Sequence, residues 1–543
     1  MTARGAATGS VYALTLVAVL TIALSTLTRF DFWWYLKAGE IIVDTRSVPT
    51  TDPFSYTAQG RPWINHMWAT QVLLALVWRT WGRTAIVLGK GALVAATFAV
   101  VLATVRRRGI HPLLGSALCL IGAWTGAGFW EVRPQVLTYL LVAVYLWILR
   151  EGWATRRSTW WAIPALMIPW VNLHAGFIIG FGLIALVGVG TALPRLVESA
   201  PRREGWTILG HSVVLGGLAV LASLVNPYGP RAILFPLEVV GTSAFMSSTL
   251  EWLSPNFHNP LFWGFEAMLL LIFPAVAWGR ASLSMTDVLL LFTFAHLGLL
   301  SIRHVPIFAI VAIPPLAVAL QGGLEECRRR AVGAPPLVAR ARAALPSLWP
   351  LASSPVTWLV GAAGLLLLGV ALYWGAFLGA PGNPLRLDLN EHRYPREAIT
   401  FIDENRLPAP LFNVYAWAGY ELWRLYPRYR VFIDGRTHVY GPEILDDFLA
   451  VVNVSERWQT VLDHWKIQTI LANRPSLLVE ALSITQGWRP VFDGEGAVIF
   501  VRESPQNREL LGRLAAATTP ADSSLAPDLW RHGLARQFGA TAR

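Results

Sequence analysis

"TRFDFWWYLKAGEIIVDTRSVPTTDPFSYTAQGRPWINHMW", Thr28 to Trp68, follows directly on the first apolar run of the chain and crowds carboxylates, a histidine and tryptophans into one loop. A carboxylate at the end of an apolar helix is costly to hold there unless it is paired, metal-bound or at work. Whether the run before it crosses a membrane decides how the loop is read.

Outward from this loop the answer is consistent. Of all residues 54% are apolar and 14% charged, and apolar runs of about 17 to 25 residues recur, long enough to span a hydrocarbon core. The chain reads as a polytopic α-helical membrane protein with about 11 spans, near 11–28, 84–105, 113–129, 134–149, 160–171, 175–193, 209–225, 261–278, 285–300, 305–320 and 356–378. The first run is long and lacks a small-residue cleavage site, so it reads as a retained span. Between loop and second span, "HMWATQVLLALVW" has the spacing of an amphipathic helix.

The net charge of +11 sits mostly in short connections: "RRRGIHP" from Arg106, "REGWATRRS" from Arg150, "RLVESAPRRE" from Arg195, "GR" at Arg280 and the arginine-rich run from Cys327. Such an excess marks cytoplasmic loops, not a nucleic-acid surface. The N-terminus is then cytoplasmic, and the opening loop faces outward with "FWEVRPQ", "VNLHAGF", the long connection from Val225 to about Pro260, and "LLSIRHVP". Cys119 lies in an apolar run and Cys327 in a basic loop, which argues against an extracytoplasmic disulfide.

Residues 1–379 form the transmembrane part, with the loop 29–70 as its first outer excursion; 380–510 have the composition of a soluble domain and 511–543 that of a tail. "APLFNVY", "RVFIDGR", "IQTILANR" and "GAVIFVRE" read as buried strands between the helices "PREAITFIDEN", "AGYELWRLY", "GPEILDDFLAVV" and "SERWQTVLDHW". That alternation predicts an extracytoplasmic α/β domain with a partly parallel sheet. No glycine-rich phosphate loop follows any of these strands.

The outer turns hold the candidate site. Trp33, Trp34 and Tyr35 are expected at headgroup depth. Asp31 sits three residues behind the first span, Asp52 and His66 bracket a turn-rich excursion, and Glu131 and Arg133 precede Pro134 at a helix start. Asp52 could equally serve its turn, and Arg133 could bind phosphate or pair with Glu131. His174, Arg303 and His304 occupy further outer turns. This inventory suits transfer chemistry at a lipid phosphate: Asp31, Asp52, His66 and Glu131 as acids and bases, and Arg133, His174, Arg303 and His304 facing the phosphate. Asp31 and Asp52 are also candidate ligands of a divalent cation, Mg or Mn; a metal-free base is the alternative.

The stretch "FDFWWYLKAGEIIVDTRSVPTTDPFSY" resembles the first outer loop of GT-C membrane glycosyltransferases, most of all the catalytic subunit of oligosaccharyltransferase. The resemblance implies a polyprenyl-phosphate or polyprenyl-diphosphate sugar donor, with Asp31, and then Asp52, as base or metal ligand. "NVYAWAGYELWRLYPRYRVFIDGR" is similar to that family's Trp-Trp-Asp-Tyr-Gly segment, with Gly419 and Tyr420 matching but Tyr415, Ala416 and Trp417 standing where Trp, Trp and Asp would be. The missing Asp argues against asparagine-linked protein glycosylation. Tyr420, Asp434 and Arg436 are expected on the acceptor side or between domains; a turn salt bridge is the plainer reading of the last two. The "D-x-WW" loop and "DGR" are similar to a bacterial branch of the class, which implies the bacterial inner membrane, a lipid, glycan or protein acceptor, and membrane lipids rather than nucleic acid as surroundings. The competing readings are a transporter or lipid flippase, disfavoured because the polar residues gather at helix ends rather than mid-membrane, and a non-enzymatic scaffold.

Overall fold

The computed structural model describes residues 3–24, 30–154, 160–197, 202–241, 250–330, 364, 369–370, 394–494 and 496–517. They belong to two compact units, one drawn from Met1–Val48, Ile64–Gly241 and Glu251–Asn390, the other from Pro49–Trp63, Thr242–Leu250 and Glu391–Arg543. Residues 49–63, expected within the membrane part, thus belong to the second unit. The expected span 356–378 and most of the tail lie outside the described residues.

The first unit is helical. Its helices are α1 (Ala3–Ala23), α2 (Phe32–Thr45), α3 (Trp68–Arg107), α4 (Pro112–Thr125), α5 (Gln135–Ala154), α6 (Ala162–Leu173), α7 (Ile178–Val197), α8 (Arg202–Ser223), α9 (Pro230–Gly241), α10 (Trp263–Gly279), α11 (Met285–Leu300) and α12 (Val305–Arg330). Among the described residues, five helical stretches are long and apolar enough to cross a membrane: Trp68–Arg107, Ala175–Val197, Arg202–Ser223, Pro260–Ser282 and Ile302–Cys327. Five shorter apolar helices fall at the other expected spans among the described residues. Helix α12 is the centre of the unit: from Val305 to Ala317 nearly every side chain is buried, and α4, α10 and α11 pack around it.

Helix α3 is two helices joined at Gly82, whose backbone (φ 72°, ψ −166°) suits only a residue without Cβ. The break falls between the amphipathic segment and the span starting near Thr84. The aromatics of α2 depart from expectation. Trp33, Trp34 and Tyr35 are all under 5% exposed, with Trp33 edge-on to Trp78 at 5.9 Å, so their rings pack against protein instead of being presented to lipid headgroups. The amphipathic half of α3 covers them. Its approach is set by Gly39, where a Cβ would stand 2.0 Å from the carbonyl oxygen of Gln71. Gly39→Ala should therefore lower unfolding stability by about 1–3 kcal/mol, the usual range for overpacking; an unchanged thermal midpoint would show that α2 can shift freely.

Asp287 ties together one end of the unit. It closes a capping box with Ser284 at the start of α11 and pairs with Arg108 at 2.9 Å and Arg150 at 3.1 Å. These residues come from the ends of three connections that the charge pattern put on one side. Arg133 and Arg303 lie beyond the opposite ends of α5 and α11, roughly 25 Å away along α5 at 1.5 Å per residue.

The second unit contains α13 (Arg396–Glu404), β1 (Leu411–Phe412), α14 (Ala418–Leu425), α15 (Thr437–Val452), α16 (Trp458–His464), β2 (Thr469–Asn473), α17 (Leu477–Ile484), β3 (Trp488–Gly494), β4 (Ala497–Arg502) and α18 (Arg508–Ala517). The sheet runs β1-β2-β4-β3, with β1 parallel to β2 and the other pairs antiparallel. Three expected strands and all four expected helices are present. "RVFIDGR" is different: it makes an isolated bridge from Val431 to Ser55 instead of joining the sheet, and β3 takes the sheet's edge.

Candidate active site

Asp31 immediately precedes α2, but its side chain makes no capping hydrogen bond to the helix. Its carboxylate turns instead to Arg133, with Nη2 at 2.6 Å from Oδ2, while Oδ1 accepts from the Trp34 indole at 3.2 Å. Arg133 sits in the tight turn between α4 and α5, where its N–H donates to the Glu131 carbonyl at 2.8 Å. Its other terminal nitrogen, Nη1, pairs with Glu251. The second oxygen of Glu251 accepts from Arg303, Nε at 3.0 Å and Nη2 at 2.9 Å. Arg303 also lies over the Trp252 ring at 4.6 Å, and Ser301 Oγ donates to the Glu251 carbonyl at 2.9 Å.

The result is a chain of alternating charge, Asp31–Arg133–Glu251–Arg303, whose side chains are 16–36% exposed. Burial opposes the Arg133 charge, but Glu251 and Asp31 outweigh it and hold the guanidinium well above its ordinary range. Glu251 escaped the sequence reading. It is one of two carboxylates in the connection from Val225 to Pro260, and its neighbour Trp252 is the signal that could have marked it as a membrane-surface residue.

The imidazoles of His66 and His174 gather nearby, with ring centres 6.5 Å apart. His66 stacks on Phe235 at 4.8 Å; His174 Nδ1 accepts from Gly176 N at 3.0 Å and meets Thr138 Oγ1 at 2.9 Å. Burial lowers His66 to about 4 and His174 well below its ordinary value. Both are neutral near pH 7, so His174 can offer a phosphate a hydrogen bond rather than a charge.

A depressed imidazole such as His66 stabilises the fold above its ordinary 6.5, and that stability is lost as pH falls toward the folded value of about 4. The thermal midpoint of the purified chain should hold steady above about pH 7 and fall progressively between about 6.5 and 4, less steeply in His66→Gln. A midpoint as high at pH 5 as at pH 7 would mean the imidazoles are not buried.

Asp52 belongs to the second unit and is fully engaged there. Its oxygens accept from Phe54 N at 3.0 Å, Ser55 N at 3.1 Å and the Ser55 hydroxyl, and Oδ1 pairs with Arg436 Nη2 at 2.7 Å. Arg436 also grips Asp434, through Nε at 2.9 Å and Nη2 at 2.7 Å, and is flanked by the rings of Phe54 and Trp63 at 4.8 and 4.7 Å. The side chains of all three ionic residues are completely buried. This clamp holds the 49–63 segment to "FIDGR", and it leaves Asp52 no geometry for a base or metal ligand and Asp434 and Arg436 none for a substrate. Tyr420 is also buried, stacked on Tyr394 at 4.9 Å.

No protein-family model matches the chain, and no curated protein is similar to it in sequence. Solved structures are similar in fold. The oligosaccharyltransferase of Archaeoglobus fulgidus in its apo form aligns with a TM-score of 0.57 at 11% identity, over 86% of this chain and 69% of that one. The same enzyme tethered to an acceptor peptide gives 0.52 at 12% identity, over 92% and 74%. ArnT from Cupriavidus metallidurans in the apo state gives 0.52 at 15% identity, over 91% and 98%. Both are GT-C glycosyltransferases. The chain has the GT-C fold. Within that fold the first carboxylate after α1 is Asp31, and the charge chain built on it is the polar cluster that joins the start of α2 to the turns before α5 and α12.

Proposed function

We propose that the chain is a multi-pass membrane glycosyltransferase moving a sugar from a polyprenyl-phosphate or polyprenyl-diphosphate donor to a lipid, glycan or protein acceptor on the outer face. One observation carries this reading: in a chain with the GT-C fold, Asp31 is released from helix capping and held by Arg133, in line with a second carboxylate and a second arginine. Oligosaccharyltransferase and ArnT both take polyprenyl-linked donors, which supports the choice of donor class.

In the proposed reaction the donor phosphate competes with the carboxylates for Arg133 and Arg303, and binding it loosens the hold of Arg133 on Asp31. Asp31 takes the proton of the acceptor nucleophile as that atom bonds to the sugar's anomeric carbon. The bond from that carbon to the phosphate oxygen breaks, and the oxygen keeps the electron pair. Arg133 and Arg303 stabilise the charge that develops there. Glu131 and the neutral imidazole of His66 are candidates to orient the acceptor, and neutral His174, together with His304, to donate hydrogen bonds to the phosphate.

The proposed topology has about eleven spans in a bacterial inner membrane, with the N-terminus inside and the α/β unit outside. In support, Arg108 and Arg150 mark the end of the helical unit opposite to Asp31. The test is sugar release from a panel of radiolabelled polyprenyl-phosphate and polyprenyl-diphosphate sugars by the purified chain. Turnover of any donor supports the class; folded protein silent across the panel would overturn it.

A further inference from the structure

GT-C chemistry raises the question of a divalent cation between acidic residues, and Asp31 was one expected ligand. The residues present do not fit one. Mg or Mn asks for about six oxygens in near-octahedral array, and a site needs its carboxylates turned inward on a shared empty centre. Here the centre shared by Asp31 and Glu251 is filled by a guanidinium: Nη2 of Arg133 on Asp31 at 2.6 Å, Nη1 on Glu251. All four carboxylate oxygens already accept from fixed donors, Asp31 from Arg133 and the Trp34 indole, Glu251 from Arg133 and Arg303. Among the described residues no group of three or more His, Cys, Asp or Glu side chains could hold a metal ion. The other expected ligand, Asp52, is buried against Arg436 and Asp434 in the second unit.

We infer that the Arg133 guanidinium takes the place of a divalent cation between Asp31 and Glu251, so that the site neutralises a departing phosphate with fixed arginines and without metal. This rests on the glycosyltransferase reading and deepens it. A guanidinium forks across two carboxylates, carries its charge at every physiological pH and cannot be chelated away. Fixing it costs the site a Lewis acid, which makes Arg133 and Arg303 together the positive charge that faces the leaving oxygen. Arg133 is positioned for this by the turn that ends at Pro134, and Arg303 by the turn that opens α12.

The experiment titrates Mn²⁺ into the purified full-length chain and follows the resonance of the free ion, for the wild type, Arg133→Ala and Arg133→Lys. Wild type should leave the free-ion signal undiminished at equimolar metal. Arg133→Ala, which strips the shared cation from two facing carboxylates, should bind Mn²⁺ at least about tenfold more tightly than wild type, and Arg133→Lys should not. Where a donor is turned over, transfer after EDTA treatment should stay within about twofold of transfer with added Mn²⁺. One equivalent of Mn²⁺ bound by the wild type and lost in Asp31→Asn would overturn the inference, as would transfer abolished by EDTA and restored by Mn²⁺. If Arg133→Ala does not fold, the wild-type titration alone decides. If no donor is turned over, the glycosyltransferase reading fails while the resonance still answers the question of the metal.

Discussion

Asp31→Asn should lower sugar transfer by roughly 10²–10⁴-fold, the span expected when a general base is removed. The substitution keeps the size and shape of the side chain. It retains an oxygen for Arg133 or Trp34 but cannot accept a proton from the nucleophile. Since Asp31 is 23% exposed at its side chain and Arg133 keeps its pair with Glu251, the fold should survive. The loss should therefore fall on kcat, with donor KM changed only a few-fold, because the proposed reaction assigns ground-state donor binding to Arg133 and Arg303. Single-turnover release of labelled sugar separates the two. Equal rates in wild type and mutant would take Asp31 out of the mechanism.

The second large effect is on stability. Arg436→Met should destabilise the second unit by about 3–5 kcal/mol, the cost of stripping one partner from a buried ion pair, because Asp52 and Asp434 would both stay buried without a counter-charge. The conservative change Arg436→Lys should also cost stability, since an ammonium is a point charge that cannot reproduce the fork onto Asp434 or the stacking between Phe54 and Trp63. The sign of the pH dependence is a further check. Orphaned buried carboxylates have raised pKa values, so the deficit of Arg436→Met should shrink as pH is lowered and they take up protons. Denaturant unfolding across pH measures both; a deficit under about 1 kcal/mol at neutral pH would show that the clamp is solvated.

The helical unit was legible because its signal is local. Apolar run length and the alternation of basic loops can be read within twenty or thirty residues, and the Arg108–Arg150–Asp287 cluster joins connections that this alternation had grouped. The break at Gly82 also fell where amphipathic pattern gave way to continuous apolar sequence. What stayed hidden depends on contacts distant in sequence. Nothing near Asp52 announces that its partner is Arg436, and nothing in "RVFIDGR" says that its backbone meets Ser55 instead of the sheet. Composition also misled at Trp33, Trp34 and Tyr35: aromatics behind a span resemble an interfacial belt, yet the covering half of α3 buries them. Arg133 stood out in the sequence as a possible partner of phosphate or of Glu131, but its ion-pair partners are Asp31, about a hundred residues earlier, and Glu251, about as far beyond.

The 49–63 segment has a consequence for how such a chain can be divided or inherited. It is contributed to the second unit from between two helices of the first, so the polypeptide leaves the helical unit at residue 48, supplies one wall of the Arg436 clamp, and returns at residue 64. A gene fragment encoding 391–543 would lack that wall and expose an arginine and an aspartate meant to be sealed. A chimera that exchanged only the C-terminal portion between relatives would pair a foreign "FIDGR" with a mismatched strap. The two pieces, some 380 residues apart, are one module written in two places, and recombination that keeps the protein whole must move both.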